Sequence, residues 1–348
     1  MKKLLISLFA VLLSLTVYAG RRNENMTPVH RPLIEEYTGT WCGWCVRGLV
    51  GMELLREEFG EDFIGVAYHN GDPMEIMSSS NFPNNIPGYP CAYVDRSYEV
   101  DPYYGLGDES AGIISDMHQF AAMEVIAGIE VTARWTSADK TAIAVEATSY
   151  FTQDFNAAKY AIEFFLIADD LHGSGSSWNQ ANYYPQYSYY YAKDPYLGPW
   201  TKKSQSVSGI HFNDVLIGTS GVIANSLPTT IVAYDEYSYS YTFTLSALPK
   251  PALVQNKDNL HVIAVVTNRT NKKAINANRC FIDEYVEIKP GDVNDDGEVD
   301  ISDVTVLIDY VLGKETVTIN MMNAELDGDD EITIGDITAL IDIILGVN

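Results

Sequence analysis

The stretch Glu35-Glu36-Tyr37-Thr38-Gly39-Thr40-Trp41-Cys42-Gly43-Trp44-Cys45 decides how the first third of this 348-residue chain is read. Residues 33–37 read as a strand, and 42–59 read as a helix opening at the cysteines. A thiol at a helix N-terminus feels the positive end of the dipole, which favours thiolate. A second cysteine three residues on lies one turn along, close enough to close a small disulfide ring. On this reading Cys42 is the exposed attacking sulfur and Cys45 the buried resolving one. A zinc site would need two C-x-x-C pairs, and the sequence has one. The competing reading is a static structural disulfide in an exported chain.

Working outward, 63–69 read as a second strand, 92–95 as a third, and 113–123 as a further helix. Asn85-Ile86-Pro87-Gly88-Tyr89-Pro90 stands before the third strand. A strand, W-C-x-x-C opening a helix, then Gly-x-Pro before the next strand resembles the thioredoxin fold. The resemblance implies that Pro90 is cis, lies against the disulfide and orients an incoming chain. It also implies that Glu36 is a buried acid moving the second thiol's proton, and that protein thiols and disulfides are the substrates. Trp44 departs from the Pro usual between the cysteines, and Cys91 from the Thr usual after the cis-Pro. Cys91 either joins the redox centre as a third sulfur or bridges to Cys280 as a staple. His69 is read as satisfied by a neighbour, because no ligand set accompanies it.

From Glu124 the texture changes to alternating runs: 129–135, 141–151, 161–170, 241–248, 261–268 and 280–288. These suit half-buried strands of an antiparallel β-sandwich. A Gly/Ser/Asn/Tyr-rich insertion, 173–208, interrupts them, and its tyrosines read as sheet packing and turn anchoring. The signal-like N-terminus, EEYTGTWCGWC, NNIPGYP and SWNQANYY together resemble the outer membrane protein 28 family over about 33–288. That resemblance implies a cell-envelope or surface location and leaves the activity open.

Near the C-terminus two Asp-rich loops each precede a similar apolar helix. In the first, Asp292, Asn294, Asp296, Asp300 and Asp303 fall at positions 1, 3, 5, 9 and 12, with Glu298 offering its carbonyl at position 7 and Gly297 at the bend. Alternating oxygen donors around a glycine bend are what calcium requires. The second loop offers Glu325, Asp327, Asp329, Glu331, Thr333 and Asp336; Glu325 replaces the shorter Asp and Asp330 the bend glycine, so its site is expected to be weaker. The competing reading is acidic loops that cap helices. A duplicated loop–helix pair resembles the type I dockerin module over about 290–348. The resemblance implies two bound calcium ions, helices packed antiparallel and docking onto a cohesin-bearing partner, with Ile301, Ser302, Ile334 and Gly335 at positions used in partner choice.

The net charge of −25 is concentrated there: residues 290–348 hold fifteen acidic side chains and one lysine. Such a field repels nucleic acid and attracts divalent metal. Residues 1–19 read as a signal peptide cleaved after Ala19, with no lipid-anchoring cysteine behind it and no later apolar span long enough for a bilayer. The expected order is signal peptide (1–19), thioredoxin-like α/β domain (20–123), antiparallel β-sandwich (124–288) and a small all-α dockerin (290–348). The expected function is an exported surface protein with a thiol-disulfide site and calcium-dependent attachment. The alternative is a non-catalytic binding or assembly protein, with a role as accessory to polysaccharide degradation implied only by the company dockerins keep.

Overall fold

The computed structural model describes residues 26–103, 112–314, 317–329 and 331–347. The expected signal peptide and Asp330 lie outside the described residues. The chain divides into two compact units, Met1–Glu284 and Tyr285–Asn348.

The first unit opens with β1 (Leu33–Thr38), α1 (Val46–Phe59), β2 (Ile64–His69), β3 (Cys91–Val94), β4 (Tyr98–Val100) and α2 (Ile113–Ala121). Strand β1 pairs in parallel with β2, and α1 supplies the crossover that a parallel pair needs. Strand β3 runs antiparallel to β1, and β4 antiparallel to β3. The order β2-β1-β3-β4, with α1 and α2 placed after β1 and β4, is the thioredoxin-like arrangement that the sequence suggests.

The sheet does not stop at residue 123. The chain continues through β5 (Ala127–Trp135), β6 (Ala142–Phe151), β7 (Tyr160–Ala168), β8 (Gln180–Ala181), α3 (Ser188–Tyr191), β9 (Ser206–Val207), β10 (Val215–Thr219), β11 (Tyr237–Thr244), β12 (Leu260–Asn268) and β13 (Ala274–Phe281). Strand β10, which no run in the sequence reading singled out, pairs in parallel with β2 at Val215 and Ala67 and antiparallel with β7. One eight-stranded sheet results, in the order β13-β12-β7-β10-β2-β1-β3-β4. The boundary expected at 123/124 therefore falls inside a single compact unit. The last expected strand, 280–288, is also displaced: β13 ends at Phe281, and beyond it Asp283 makes only an isolated bridge to Arg134.

Strands β5, β6 and β11 form a separate antiparallel sheet. Alternation shows which strands are covered on one face and which on two. Strand β5 exposes every second residue over its last six positions, whereas β12 buries all but its final one. Ile129, Val145 and Phe243 of the small sheet share a core with Phe164, Leu166, Ile217 and Val262 of the large one. On the opposite face of the large sheet, Phe165, Ile263 and Val265 join Leu33, Tyr37 and Val66. The expected sandwich is thus present, and one of its layers is the sheet that also carries β1–β4. Buried Arg96 ties the two halves, bonding Glu35 of β1 at 3.0 Å and Glu163 of β7 at 2.9 Å.

The second unit contains α4 (Ile301–Val311), α5 (Met321–Ala324) and α6 (Ile334–Leu345) around Val293, Val304, Leu307, Ala324 and Leu340. No described helix is long and apolar enough to cross a membrane.

Candidate functional site

Cys42 and Cys45 form a disulfide with their Cα atoms 5.3 Å apart. Helix α1 starts at Val46, four residues later than the 42–59 reading: Cys45 is its N-cap, and Cys42 lies in the preceding turn. Gly39 O accepts from Cys42 N at 3.0 Å, and Cys42 O accepts from Cys45 N at 3.1 Å. Asp72 braces the approach to this turn, accepting from Thr40 N at 2.9 Å and meeting His69 Nδ1 at 2.6 Å. His69 is thus a satisfied neighbour of the turn, as its isolation in the sequence suggests.

Alternation along β1 sends Glu36 to the same side as Ile34, toward α1. Its Oε1 lies only 1.6 Å from where a Cβ on Gly48 would stand, so the carboxyl occupies a place that glycine leaves open in the first turn after Cys45. Oε1 is buried with no hydrogen-bond partner. Burial, reinforced by Asp214, raises Glu36 to about 8 despite a hydrogen bond from Thr38. The Tyr89–Pro90 bond is cis, and Pro87–Cys91 with Glu99, Val100 and Asp101 line an open cavity of about 440 Å³.

Two expectations for the sulfurs are corrected. Cys42 is not an exposed nucleophile: it is 5 % exposed and Cys45 0 %. Cys91 and Cys280 are free, and no staple joins them. They belong to different cores: Cys91 shares the face of Tyr37, while Cys280 on β13 packs against the inter-sheet core. Burial, with nearby acids, pushes both thiols up to about 12, which suppresses thiolate.

The insertion is bonded to the cysteine turn. Ala181 N donates to Thr40 O at 2.7 Å, Tyr183 N to Gly43 O at 3.0 Å and Gln180 Nε2 to Cys42 O at 2.8 Å. The ring of Tyr183 lies across Gly43, where any Cβ would collide with it at 2.4 Å. Trp44 sits among Tyr183, Tyr184, Tyr187 and Tyr191, with ring centroids 4.7–6.5 Å away. Arg47 donates to the hydroxyl of fully buried Tyr184 at 3.2 Å. These tyrosines cover the cysteine turn; they are not the sheet-packing residues the composition suggests.

In the C-terminal unit the two loops fold alike. Asp303 Oδ1 accepts from Val293 N and Oδ2 from Asp300 N, at 2.7 and 2.9 Å. Asp336 repeats this with Leu326 N and Thr333 N, at 2.7 and 2.8 Å. Both carboxylates are fully buried. Asn294 Oδ1 accepts from Asp296 N, and Asp296 Oδ1 from Glu298 N. Asp329 Oδ1 accepts from Glu331 N in the same way. Asp300 and Thr333 turn to cap α4 and α6, accepting from Ser302 N and Gly335 N, so the capping reading holds for those two side chains. Gly297 takes a positive φ of 86° at the first bend; in the second loop Gly328, two residues before Asp330, has φ 84°.

The donors fit a hard cation. Asp292 Oδ1 is buried without a hydrogen-bond partner. Carboxylate oxygens of Glu325, Asp327 and Asp336 lie within 4.8 Å of one another. Desolvation, then Asp329, Asp336 and Glu325, raise Asp327 above its ordinary value, as expected of acids crowded without a counter-charge.

Residues 290–345 match the type I dockerin domain. This segment is a type I dockerin. Dockerins bind calcium and dock onto cohesins. No curated protein matches the chain. Among solved structures, HBP35 of Porphyromonas gingivalis is 13% identical with a TM-score of 0.49, covering 76% of this chain and 81% of its own. A domain of the outer membrane lipoprotein Omp28 from the same organism is 12% identical with a TM-score of 0.24, covering 47% of this chain and 92% of its own. A protein from Agrobacterium tumefaciens is 8% identical with a TM-score of 0.39, over 76% and 99%.

Each dockerin helix also carries an exposed apolar stripe. Ile301, Ile308 and Leu312 are 70, 38 and 71 % exposed, and their repeat counterparts Ile334, Ile341 and Leu345 are 71, 38 and 68 % exposed. Spacings of seven and eleven residues put each set on one helical face.

Proposed function

We infer that this protein is an exported assembly component, carried to a cohesin-bearing partner at the cell surface by a calcium-loaded dockerin. The first loop holds one ion through Asp292, Asn294, Asp296, the Glu298 carbonyl and Asp303. The second holds another, more weakly, through Glu325, Asp327, Asp329, the Glu331 carbonyl and Asp336. Asp300 and Thr333 bear on the ions only through the caps they make. Bound calcium supplies the positive charge these carboxylates lack. The cohesin meets the repeated apolar stripe that begins at Ile301 and Ile334. The thioredoxin-like unit travels with its Cys42–Cys45 bond kept closed.

The observation that carries this reading is the contrast in exposure: both sulfurs buried under the insertion, both apolar stripes bare. One observation favours a second reading, thiol-disulfide exchange with protein substrates. Glu36, raised to about 8, lies beside α1 just past Cys45, where it could receive and return the Cys45 proton. In that exchange a substrate thiolate attacks Cys42 Sγ, the disulfide opens, and Cys45 leaves as thiolate and is protonated. Pro90 borders the groove in which the substrate strand would lie. Insulin reduction by wild type and Cys42→Ser separates the two. Equal, negligible turnover supports the closed disulfide, and turnover lost in Cys42→Ser supports exchange.

A further inference from the structure

The insertion leaves and rejoins the fold at a narrow neck. There Leu171 and Phe212 form an isolated antiparallel bridge, exchanging N–H to O bonds of 2.9 and 2.8 Å. Both side chains are buried in the inter-sheet core. Of the residues flanking Leu171 and Phe212, Asp170, His172 and His211 are all exposed. Asp170, His172 and His211 are therefore brought to one exposed face by the register, although 38 residues separate the two histidines along the chain.

We propose that Asp170, His172 and His211 form a binding site for a borderline divalent transition-metal ion such as zinc. Ligand atoms of the three residues lie within 4.8 Å of one another. The two imidazoles stack with centroids 4.6 Å apart and planes 28° from parallel. The protonation of His172 follows from its partner: Nδ1 lies 2.9 Å from the carbonyl oxygen of Asp170, which can only accept. Nδ1 must carry the proton, leaving the Nε2 lone pair free, and a histidine held by its second nitrogen is oriented as metal ligands usually are. His211 Nδ1 meets Asp170 Oδ1 at 2.5 Å, and an ion would take the place of the proton held between them. Asp170 is itself fixed, its N–H donating to Asn213 Oδ1 at 2.9 Å. His172 is fixed as well, its N–H donating to Gln255 Oε1 at 3.1 Å.

Two imidazoles and one carboxylate suit zinc, with water in the remaining position, and do not suit calcium, which takes oxygen ligands. The site is thus chemically distinct from the dockerin loops. It stands across both ends of the segment that covers the disulfide, so an ion there would clamp the base of that cover.

The test is zinc titration calorimetry on the full chain in saturating calcium, which occupies the dockerin carboxylates. One zinc should bind, and His172→Ala and His211→Ala should each weaken it by more than about tenfold, a loss typical even of residues that only orient a ligand. Cobalt provides a second readout: bound to the wild type it should give visible d–d bands that disappear in Asp170→Asn. Zinc affinity unchanged in both histidine variants, or wild type that binds no zinc, would overturn the proposal.

Discussion

The disulfide turn and the first dockerin loop are both short motifs at the start of a helix, and they meet their chemical needs in opposite ways. Around Cys42 the carbonyls of Thr40, Cys42 and Gly43 all accept from the insertion, and both sulfurs are covered. Around Asp292 the backbone amides are satisfied but the charge is not: acidic groups crowd together, and one buried carboxylate oxygen has no partner. The first site is completed by its own chain. On the function proposed above, the second is completed by an ion from outside. A motif therefore announces a chemistry, while the surroundings decide whether that chemistry is open to a partner.

The largest effects should fall on the incomplete site. Asp292→Ala and Asp303→Ala should each weaken calcium binding at the first loop by more than about tenfold in calorimetry, with the second loop's signal retained. Unchanged affinity in both variants would place the ion elsewhere and remove the contrast.

The next effect belongs to the closed site. An acid whose folded pKa is raised keeps its proton longer in the folded protein than in the unfolded chain. Glu36 therefore leaves stability intact below its ordinary value of 4.5 and withdraws it progressively as pH rises toward about 8. Denaturant titrations of Glu36→Gln should show a flatter stability–pH curve over that window, the difference from wild type approaching an order of ~4 kcal/mol at the alkaline end. Parallel curves for the two proteins would mean that Glu36 ionises normally.

A smaller change should come from Tyr183→Ala, which removes the ring lying over Gly43. Losing an aromatic contact of ~1 kcal/mol should speed reduction of Cys42–Cys45 by a phosphine about fivefold, read by alkylation and mass mapping. An unchanged rate would show that the backbone of the insertion, and not its ring, controls access.

What the sequence revealed follows from how local each feature is. The acidic positions of the dockerin lie within two twelve-residue loops, so their spacing shows in the sequence, and the repeated Asp303 and Asp336 bonds follow the repeat. Strands β1 and β2 and helix α1 were legible for the same reason, and the cis-Pro90 turn through the thioredoxin resemblance. The cover over Cys42 was not: Gln180 and Tyr183 reach it from about 140 residues away, and a tyrosine-rich loop carries no mark of what it will cover. Strand β10 escaped notice because VLIGT is too short to show a period, yet its pairing with β2 merges two expected domains into one sheet. Glu36 was singled out through the thioredoxin resemblance, but its place against Gly48 needed the packing of α1.

Hydrogen exchange by mass spectrometry on the full chain, with calcium and after chelation, tests both halves of the comparison at once. The account predicts that chelation releases protection across 292–303 and 325–336, while the amides of Cys42, Cys45, Ala181 and Tyr183 stay protected in both states. Dockerin loops equally protected with and without calcium, or a cysteine turn that exchanges freely in both, would contradict it.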